Sequence, residues 1–345
     1  VTGGAERHAA NLCAALERHG HEAVEVNIPF KWYPGRTLID SIMAAKLVDL
    51  SESTGVPIDM MVGLKFPAYL AHHPNRVFWI LHQHRQAYDQ WDSGHSDLLH
   101  QEEGAALRDL IREEDRAAFS ATAHPIWCNS RNVAGRLRRY LGMEGRPLYH
   151  PPPNAGKMRS GFYGDYIFAP SRLNPGKRQG LMLEALARTA GPVRLVLAGT
   201  ADTPAHRDEL AAKARELGVE DRVEWWGAID DATMIRGYAG ARAVCFVPID
   251  EDYGYITLEA MLAARPVITA TDAGGPLEFV RDGAEGIVAE PEPGALAAAF
   301  DRVMEDRAGA ERVGQAGLVR YRAEGISWRS VVERLTGAAA PGEAG

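Results

Sequence analysis

Apolar residues near the start of the chain change from helical to extended spacing. Over residues 4–19 they recur every three or four positions, which predicts an amphipathic helix that ends at Gly20. Apolar and polar residues then alternate over residues 24–28, and this alternation predicts a strand. A turn-rich stretch follows at 29–35. The chain therefore opens with a helix, a strand and a turn.

Short apolar runs and helix-compatible segments alternate along the rest of the chain. The first half has three further predicted strands, at 58–62, 77–81 and 126–128. It also has two predicted helices, at 102–119 and 129–140. The second half has six predicted strands, at 166–169, 193–198, 223–226, 243–247, 266–269 and 286–289. Strands that alternate with helices form parallel sheets with right-handed crossovers. The predicted fold class is α/β, with two Rossmann-like, doubly wound domains.

A run of three prolines at 151–153 separates the two halves, because consecutive prolines continue neither a helix nor a central strand. The predicted organisation is an N-terminal domain, a linker, a C-terminal domain and a final helix, at 1–150, 151–164, 165–324 and 325–337. The last ten residues are mostly Ala, Gly, Pro and Glu and are expected to fray.

Composition excludes several classes of protein. The chain has 345 residues, of which 46% are hydrophobic and 24% charged, as in an ordinary globular protein. Its formal net charge of -8 gives no electrostatic reason to bind nucleic acid. The three cysteines are far apart, so they suggest neither a disulfide framework nor a Cys-x-x-Cys metal site. Without a run of 18 apolar residues or a signal peptide, the expected location is the cytoplasm.

The first candidate site follows the predicted strand at 166–169. Arg172, Lys177 and Arg178 lie between this strand and a helix expected from Gln179. Cations beside a helix N-terminus, where backbone N–H groups already attract anions, are suited to a diphosphate. A solvated basic turn explains these residues equally well.

A second group of polar residues follows the strand at 243–247. Glu251 lies in the loop and Glu259 in a helix expected to start at Gly254, whose first N–H groups face outward. Carboxylates accept hydrogen bonds from neighbouring sugar hydroxyls, although they also stabilise helix N-termini without any ligand. A third loop, at 272–278, contains paired glycines that permit close backbone approach to a ligand.

Together these segments resemble a known family. The motifs are GGAE at 3–6, ILHQHRQAYD at 80–89, CNSRNVAGRL at 128–137, SRLNPGKR at 171–178, EDYGYITLEAM at 251–261 and DAGGPLEFV at 272–280. They resemble family 4 of the retaining glycosyltransferases, the glycosyl transferases group 1, which have the GT-B fold. Members begin with an apolar strand before the Gly-Gly loop, and here that first strand is apparently missing. The resemblance implies a hexosyltransferase (EC 2.4) of polysaccharide biosynthesis.

The resemblance also implies roles for individual residues. Arg172 and Lys177 would hold the donor diphosphate and stabilise the departing nucleotide. Glu251 would bind hydroxyls of the donor sugar, and His82 would lie near the reacting sugar. The remaining donor-binding residues would be Gly4, Tyr255, Ile256 and Thr257 at the phosphates, Ile229 at the base and Glu259 at the ribose. Such enzymes use neither a metal nor another cofactor; a metal at His82 and His84 would need ligands that the sequence does not place.

The sequence says less about the acceptor substrate than about the donor. The resemblance implies a nucleotide-sugar donor and a glycan, lipid-linked or small-molecule acceptor. The arginines of the helix at 129–140 would suit peripheral contact with anionic lipid, although a solvated face explains them as well; they are Arg131, Arg136, Arg138 and Arg139. Four aromatic residues would suit stacking on sugars or core packing, namely Trp32, Tyr33, Tyr88 and Trp91. A sugar-nucleotide epimerase of GT-B architecture and a non-catalytic sugar-nucleotide binder remain alternatives.

Overall fold

A computed structural model describes residues 4–337. These residues form two compact units: a first unit up to His150 together with the residues from Ser327 onward, and a second unit of Pro151–Ile326. The predicted loop residue Gly3 and most of the predicted frayed tail lie outside the described residues.

The first unit contains a four-stranded parallel sheet in the order β3-β4-β5-β6 and a two-stranded antiparallel ribbon, β1-β2. Its strands are β1 (Glu52–Ser53), β2 (Val56–Pro57), β3 (Met61–Lys65), β4 (Arg76–His82), β5 (Ile126–Cys128) and β6 (Gly145–Pro147). Its helices in this part of the chain are α1 (Gly4–Arg18), α2 (Gly35–Leu47), α3 (Asp89–Asp92), α4 (Gly104–Ser120) and α5 (Arg131–Leu141).

The second unit contains a six-stranded parallel sheet in the order β12-β11-β10-β7-β8-β9. Its strands are β7 (Tyr166–Pro170), β8 (Arg194–Ala198), β9 (Val223–Gly227), β10 (Ala243–Cys245), β11 (Val267–Ala270) and β12 (Gly286–Ala289). Its helices are α6 (Gln179–Leu186), α7 (Pro204–Glu216), α8 (Asp231–Gly240), α9 (Tyr255–Leu262), α10 (Pro293–Glu305) and α11 (Arg307–Ala323). The strand order reverses direction between β7 and β10, which is the position where ligands bind in open α/β sheets.

Apolar side chains cover both faces of each sheet. In β4, Phe78 and Ile80 pack with the cluster that includes α2 and α4, whereas Val77 and Trp79 face the opposite side with α1. This period of two is the alternation expected of a strand with both faces buried. In the second unit, Ile167 and Phe168 of β7 likewise enter different clusters.

The C-terminal helix α12 (Trp328–Thr336) packs in the first unit. Ser327 caps it by accepting a hydrogen bond from the backbone N–H of Ser330 at 3.2 Å. Its buried residues Val331 and Leu335 join Leu12 of α1 in the cluster around Trp79. The helix α12 therefore covers part of one face of the first sheet.

Two predictions for the first unit are wrong, and one helix was not predicted. The strand expected at 24–28 is absent: these residues lie outside any helix or strand, and Val24 and Val26 are 79% and 50% exposed. Alternation forms a strand only where another strand pairs with it and an apolar surface covers one side. The turn at 29–35 leads into the helix α2, which was not predicted. The strand expected at 58–62 is shifted to 61–65.

The six strands predicted for the second unit are all present, with ends within two residues of those expected. Within residues 4–337, the structure contains no helix with the length and apolar character of a membrane span.

Candidate active site

Three loops meet at the carboxyl edge of the second sheet, after the adjacent strands β7, β10 and β11. Their backbones are joined by hydrogen bonds from Ile249 N to Gly176 O at 2.9 Å and from Asp250 N to Asp272 O at 3.0 Å. Glu251 N donates to Ala273 O at 2.8 Å. The middle loop is thus held between the two others, so the polar side chains of all three share one edge.

Lys177 and Glu251, two of the residues expected to be catalytic, form an ion pair between the first and the middle loop. The Lys177 Nζ donates to Glu251 Oε2 and lies 5.1 Å from the centre of the Phe246 ring. The side chains are 18% and 27% exposed, respectively. Asn174 fixes the loop by accepting a hydrogen bond from Lys177 N at 3.2 Å. The structure therefore brings these two predicted residues together.

Arg172 points to a different partner. Its guanidinium lies 3.2 Å from Asp202 Oδ1, in the loop after β8, and the Arg172 side chain is 61% exposed. The backbone at this position is nevertheless fixed, because the buried Gln179 donates to Arg172 O at 3.0 Å and to Ser171 Oγ at 2.9 Å. Arg172 is accordingly a solvent-facing cation on a fixed backbone.

The N-terminus of α9 lies directly after the middle loop. Gly254 precedes it with φ of +85°, and a Cβ there would meet Pro276 Cγ at 3.1 Å and Phe246 Cε1 at 3.2 Å. Glycine is therefore favoured both by conformation and by space. The predicted phosphate-binding residues Tyr255, Ile256 and Thr257 form the first turn. Thr257 is fully buried, and its hydroxyl has no hydrogen-bond partner.

Glu259 lies one turn further along α9 and accepts a hydrogen bond from Tyr238 Oη at 2.6 Å. Burial, and then the charge of Glu259, raise the pKa of Tyr238 well above its ordinary value, so this phenol stays a donor. The predicted base contact Ile229 packs beside Tyr238 in the apolar cluster behind Phe168. Tyr238 thus fixes the direction of one Glu259 oxygen.

Two predicted site residues belong to the first unit. Gly4 is the first residue of α1, and His82 is the last residue of β4. The Nδ1 of His82 lies 2.7 Å from Gln83 O. Because a carbonyl only accepts, Nδ1 carries a proton and, in the neutral ring, Nε2 is the basic nitrogen. Burial, followed by the neighbouring His82, lowers the pKa of His84 to about 4.

The basic face predicted for α5 is only partly exposed. Arg136 has a side chain that is 4% exposed and is paired with Asp89 at 3.2 Å. Arg138 and Arg139 lie within 3.4 Å of Glu144 and 3.7 Å of Asp92, respectively. Arg136 is therefore a buried structural cation and does not belong to an exposed basic face, whereas lipid contact through the other arginines stays a prediction.

The four aromatic residues considered for sugar stacking separate into two groups. Trp32 and Tyr33 are exposed, at 37% and 56%, whereas Tyr88 is fully buried and Trp91 packs beside the core. Core packing therefore explains the second pair.

Sequence reasoning gave no role to a pair of residues that the structure brings together. Arg178, next to Lys177, donates from its two terminal nitrogens to the two carboxylate oxygens of Asp272, at 2.7 and 2.5 Å. Arg178 has a φ of +56°, in the left-handed region. Hydrogen bonding from Arg178 lowers the pKa of Asp272. The only signal was that both residues follow strands of the same sheet, β7 and β11, which lie on either side of β10.

Metal-binding side chains do not cluster in the described part of the chain. Among residues 4–337, no group of three or more His, Cys, Asp or Glu side chains is arranged to hold a metal ion.

Comparison with known proteins identifies the second unit. The family model for glycosyl transferases group 1 matches residues 164–320, which include the Lys177–Glu251 pair and α9. D-inositol 3-phosphate glycosyltransferase of Mycobacterium marinum is 29% identical over 167 residues, covering 48% of this chain and 35% of the relative. The α-1,3/1,6-mannosyltransferase ALG2 of Dictyostelium discoideum is 34% identical over 133 residues, covering 37% and 31%. The chain thus spans about a third of the length of these relatives.

Solved structures agree over nearly the whole chain. HepE of Anabaena, in complex with UDP-glucose, has a TM-score of 0.70 at 19% identity and covers 97% of this chain and 95% of its own. WaaG, a glycosyltransferase involved in lipopolysaccharide biosynthesis, has a TM-score of 0.73 at 14% identity, covering 98% and 97%. At these identities the likeness establishes the fold. The predicted resemblance is confirmed at this level: the chain carries a glycosyl transferases group 1 domain at residues 164–320 and has the GT-B fold.

Proposed function

We propose that this protein is a retaining hexosyltransferase that moves a sugar from a nucleotide-diphosphate sugar to an acceptor hydroxyl, without a metal. The observation that carries the proposal is the Lys177–Glu251 pair beside the first turn of α9. A cation, a carboxylate and a helix N-terminus are the groups that a sugar diphosphate needs. The family match over these residues supports the same assignment.

The phosphate side of the site would act mainly by electrostatics. Negative charge develops on the diphosphate as the bond to the sugar breaks, and Lys177 and Arg172 supply fixed positive charge there. The N-terminus of α9 would add the partial positive charge of the helix dipole. Because Lys177 has three N–H donors, it can keep one bond to Glu251 while it binds phosphate.

The carboxylates would orient the donor. Glu251 would accept hydrogen bonds from sugar hydroxyls, while Lys177 limits the rotation of its side chain. Glu259, whose side chain Tyr238 orients, would accept from the ribose hydroxyls, and Ile229 would contact the base. Gly4 and His82, in the first unit, keep the donor-binding and catalytic roles that the resemblance implies for them.

The reaction we propose keeps the anomeric configuration. The bond between sugar C1 and the phosphate oxygen breaks, and the acceptor oxygen forms its bond to C1 on the same face. The acceptor proton passes to the departing phosphate, which receives the electron pair of the broken bond. No step needs an oxidant, a reductant or a second cofactor.

The relatives support a choice of donors to test. HepE was solved with UDP-glucose, and the two relatives named above are a glycosyltransferase and a mannosyltransferase. We therefore take UDP-glucose and GDP-mannose as the first donors to test. The proposed acceptor is a hydroxyl of a glycan, a lipid-linked sugar or a small molecule, and the proposed role is polysaccharide biosynthesis.

A panel of UDP-, GDP-, ADP- and dTDP-sugars with excess EDTA tests the proposal. Thermal shifts identify the bound donor: a ligand at 100 times its Kd stabilises by about 2.7 kcal/mol. Turnover is followed as release of the nucleoside diphosphate, with and without mixed glycan acceptors, and NMR reports the anomer of the product. Lys177→Met should lose the shift, whereas the surface variant Lys157→Met, outside these loops, should keep it.

The outcomes separate the alternatives. Transfer with retention in EDTA supports the proposal. An epimerised donor or free sugar without acceptor dependence indicates an epimerase. A donor-selective shift without turnover indicates a non-catalytic binder, and loss of all turnover in EDTA contradicts metal independence.

A further inference from the structure

We infer that Arg178 and Asp272 are positioning residues that hold Lys177 and Glu251 in their working arrangement. The inference rests on the proposed function, because it assigns Lys177 and Glu251 to the donor. Arg178 and Asp272 themselves belong to the first and third loops of the sheet edge, on either side of the loop that carries Glu251.

The pair closes a ring of contacts around Glu251. Asp250 N donates to the backbone oxygen of Asp272 at 3.0 Å, and Glu251 N donates to Ala273 O at 2.8 Å. Lys177 joins Glu251 through its side chain, and the adjacent Arg178 joins Asp272. The first loop is thus tied to the third directly and also through the middle loop. Displacing any one loop strains the contacts of the other two.

The chemistry of the pair suits a positioning role. Two parallel N–H···O bonds, at 2.7 and 2.5 Å, fix both the distance and the angle between guanidinium and carboxylate. A single ammonium of lysine would fix only the distance. The Arg178 side chain is 17% exposed, so water competes weakly at its end of the pair.

The backbone of Arg178 is an independent sign that the side chain is needed. Its φ of +56° is a conformation that glycine adopts without cost and an arginine does not. The residue lies directly before α6 and directly after Lys177. Arg178 occupies a position that favours glycine and binds Asp272 of the third loop through both terminal nitrogens. The contact with Asp272 therefore explains why this position holds an arginine, which a chain reversal alone would not.

Four variants and one control test the inference. Arg178→Lys keeps the positive charge and removes the second parallel bond, and Asp272→Asn removes the negative charge. The variant with both changes completes a double-mutant cycle. Arg178→Gly removes the side chain and relieves the backbone. The matched control is Arg194→Lys, which breaks exposed ion pairs with Asp165 and Glu224 at the opposite edge of the same sheet.

The readouts are kcat and KM for the donor identified by the panel, together with melting temperature and UDP binding. We expect kcat to fall roughly 10- to 100-fold in Arg178→Lys and Asp272→Asn, because small displacements of reacting groups cost this much. The double variant should be no worse than either single variant. Arg178→Gly should lose kcat but keep its melting temperature, and Arg194→Lys should match the wild type in kcat.

Unchanged kcat in Arg178→Lys and Asp272→Asn, with only the melting temperature lowered, overturns the inference and leaves a structural ion pair. Additive losses in the double variant also overturn it. A wild type that neither binds UDP nor turns over any donor refutes the proposed function, and the inference with it. A wild type that is active beside equally active variants refutes the inference alone.

Discussion

Asp115 of α4 gives the sharpest test of the electrostatics of the first unit. Its carboxyl group is fully buried and accepts hydrogen bonds from Tyr69 Oη and Tyr88 Oη, both at 2.7 Å. Burial raises the pKa of Asp115 from 3.8 to about 7, although the two tyrosine hydrogen bonds act in the opposite direction. The neighbouring Glu114 raises this pKa further. Near neutral pH the buried acid therefore changes its protonation state.

The sign of the effect follows from linkage. The folded protein binds this proton more tightly than the unfolded chain, so the stabilisation is complete below pH 3.8 and is lost as the pH rises through 7. Between pH 5 and pH 7.5, ionisation of Asp115 should lower the free energy of unfolding by about 2.5 kcal/mol. For a unit of this size, that corresponds to roughly 5–10 °C in melting temperature.

The perturbation is Asp115→Asn, since an amide has the shape of the protonated acid, donates a hydrogen bond and does not titrate. Urea melts of variant and wild type at pH 5, 6, 7 and 7.5 give the difference in unfolding free energy. We expect this difference to shift by about 2.5 kcal/mol in favour of the variant over that range. Asp109→Asn is the control, because Asp109 is an exposed acid on the same helix. A difference that stays constant over the range would refute the reasoning.

Three further predictions concern other parts of the chain. Burial lowers the pKa of His8 to about 3. The neutral His8 side chain therefore adds to the free energy of unfolding above pH 6.5, and this stabilisation is lost as the pH falls towards 3. Acidification from pH 7.5 to pH 5 should therefore cost about 2 kcal/mol through His8 in urea melts, and His8→Gln should remove this part of the slope. Lys177→Met should lower kcat for the donor roughly 100- to 1,000-fold in steady-state assays, and a loss below threefold would contradict the diphosphate assignment. Gly275→Ala should destabilise by about 1–3 kcal/mol, because its Cβ would lie 2.7 Å from Tyr253 O, whereas Gly294→Ala meets no atom within 4 Å and should be neutral in the same melts.

The second unit was more predictable from sequence than the first, and the reason is physical. Strands such as β7 and β11 are buried on both faces, so they appear as continuous apolar runs between turn residues. Residues 24–28 alternate between apolar and polar, which also predicts a strand, but no strand pairs with them. The local sequence does not encode whether a pairing strand is present. The start of α2 was hidden because Pro34 and Gly35 also occur in turns.

The candidate site was predictable residue by residue but not pair by pair. The loops after β7 and β10 pointed to Lys177 and Glu251 because ligands bind at the carboxyl ends of parallel strands. That these two side chains touch, and that Arg172 turns towards Asp202, depends on side-chain torsions that spacing does not fix. The pair of Arg178 with Asp272 joins residues 94 positions apart, so no local pattern could reveal it.

The placement of α12 has a consequence for how the chain folds during synthesis. The first unit is made of two segments, the residues up to His150 and the segment with α12. The whole second unit lies between these segments in sequence. Domains fold largely as units while the ribosome adds residues from the N-terminus. The second unit is complete once Ile326 has emerged from the ribosome. The cluster with Leu12 and Trp79 can pack fully only after Val331 and Leu335 have also been added. The unit that is begun first is therefore the last to be finished, and a nascent chain stalled before Ser327 would expose this apolar surface to chaperones.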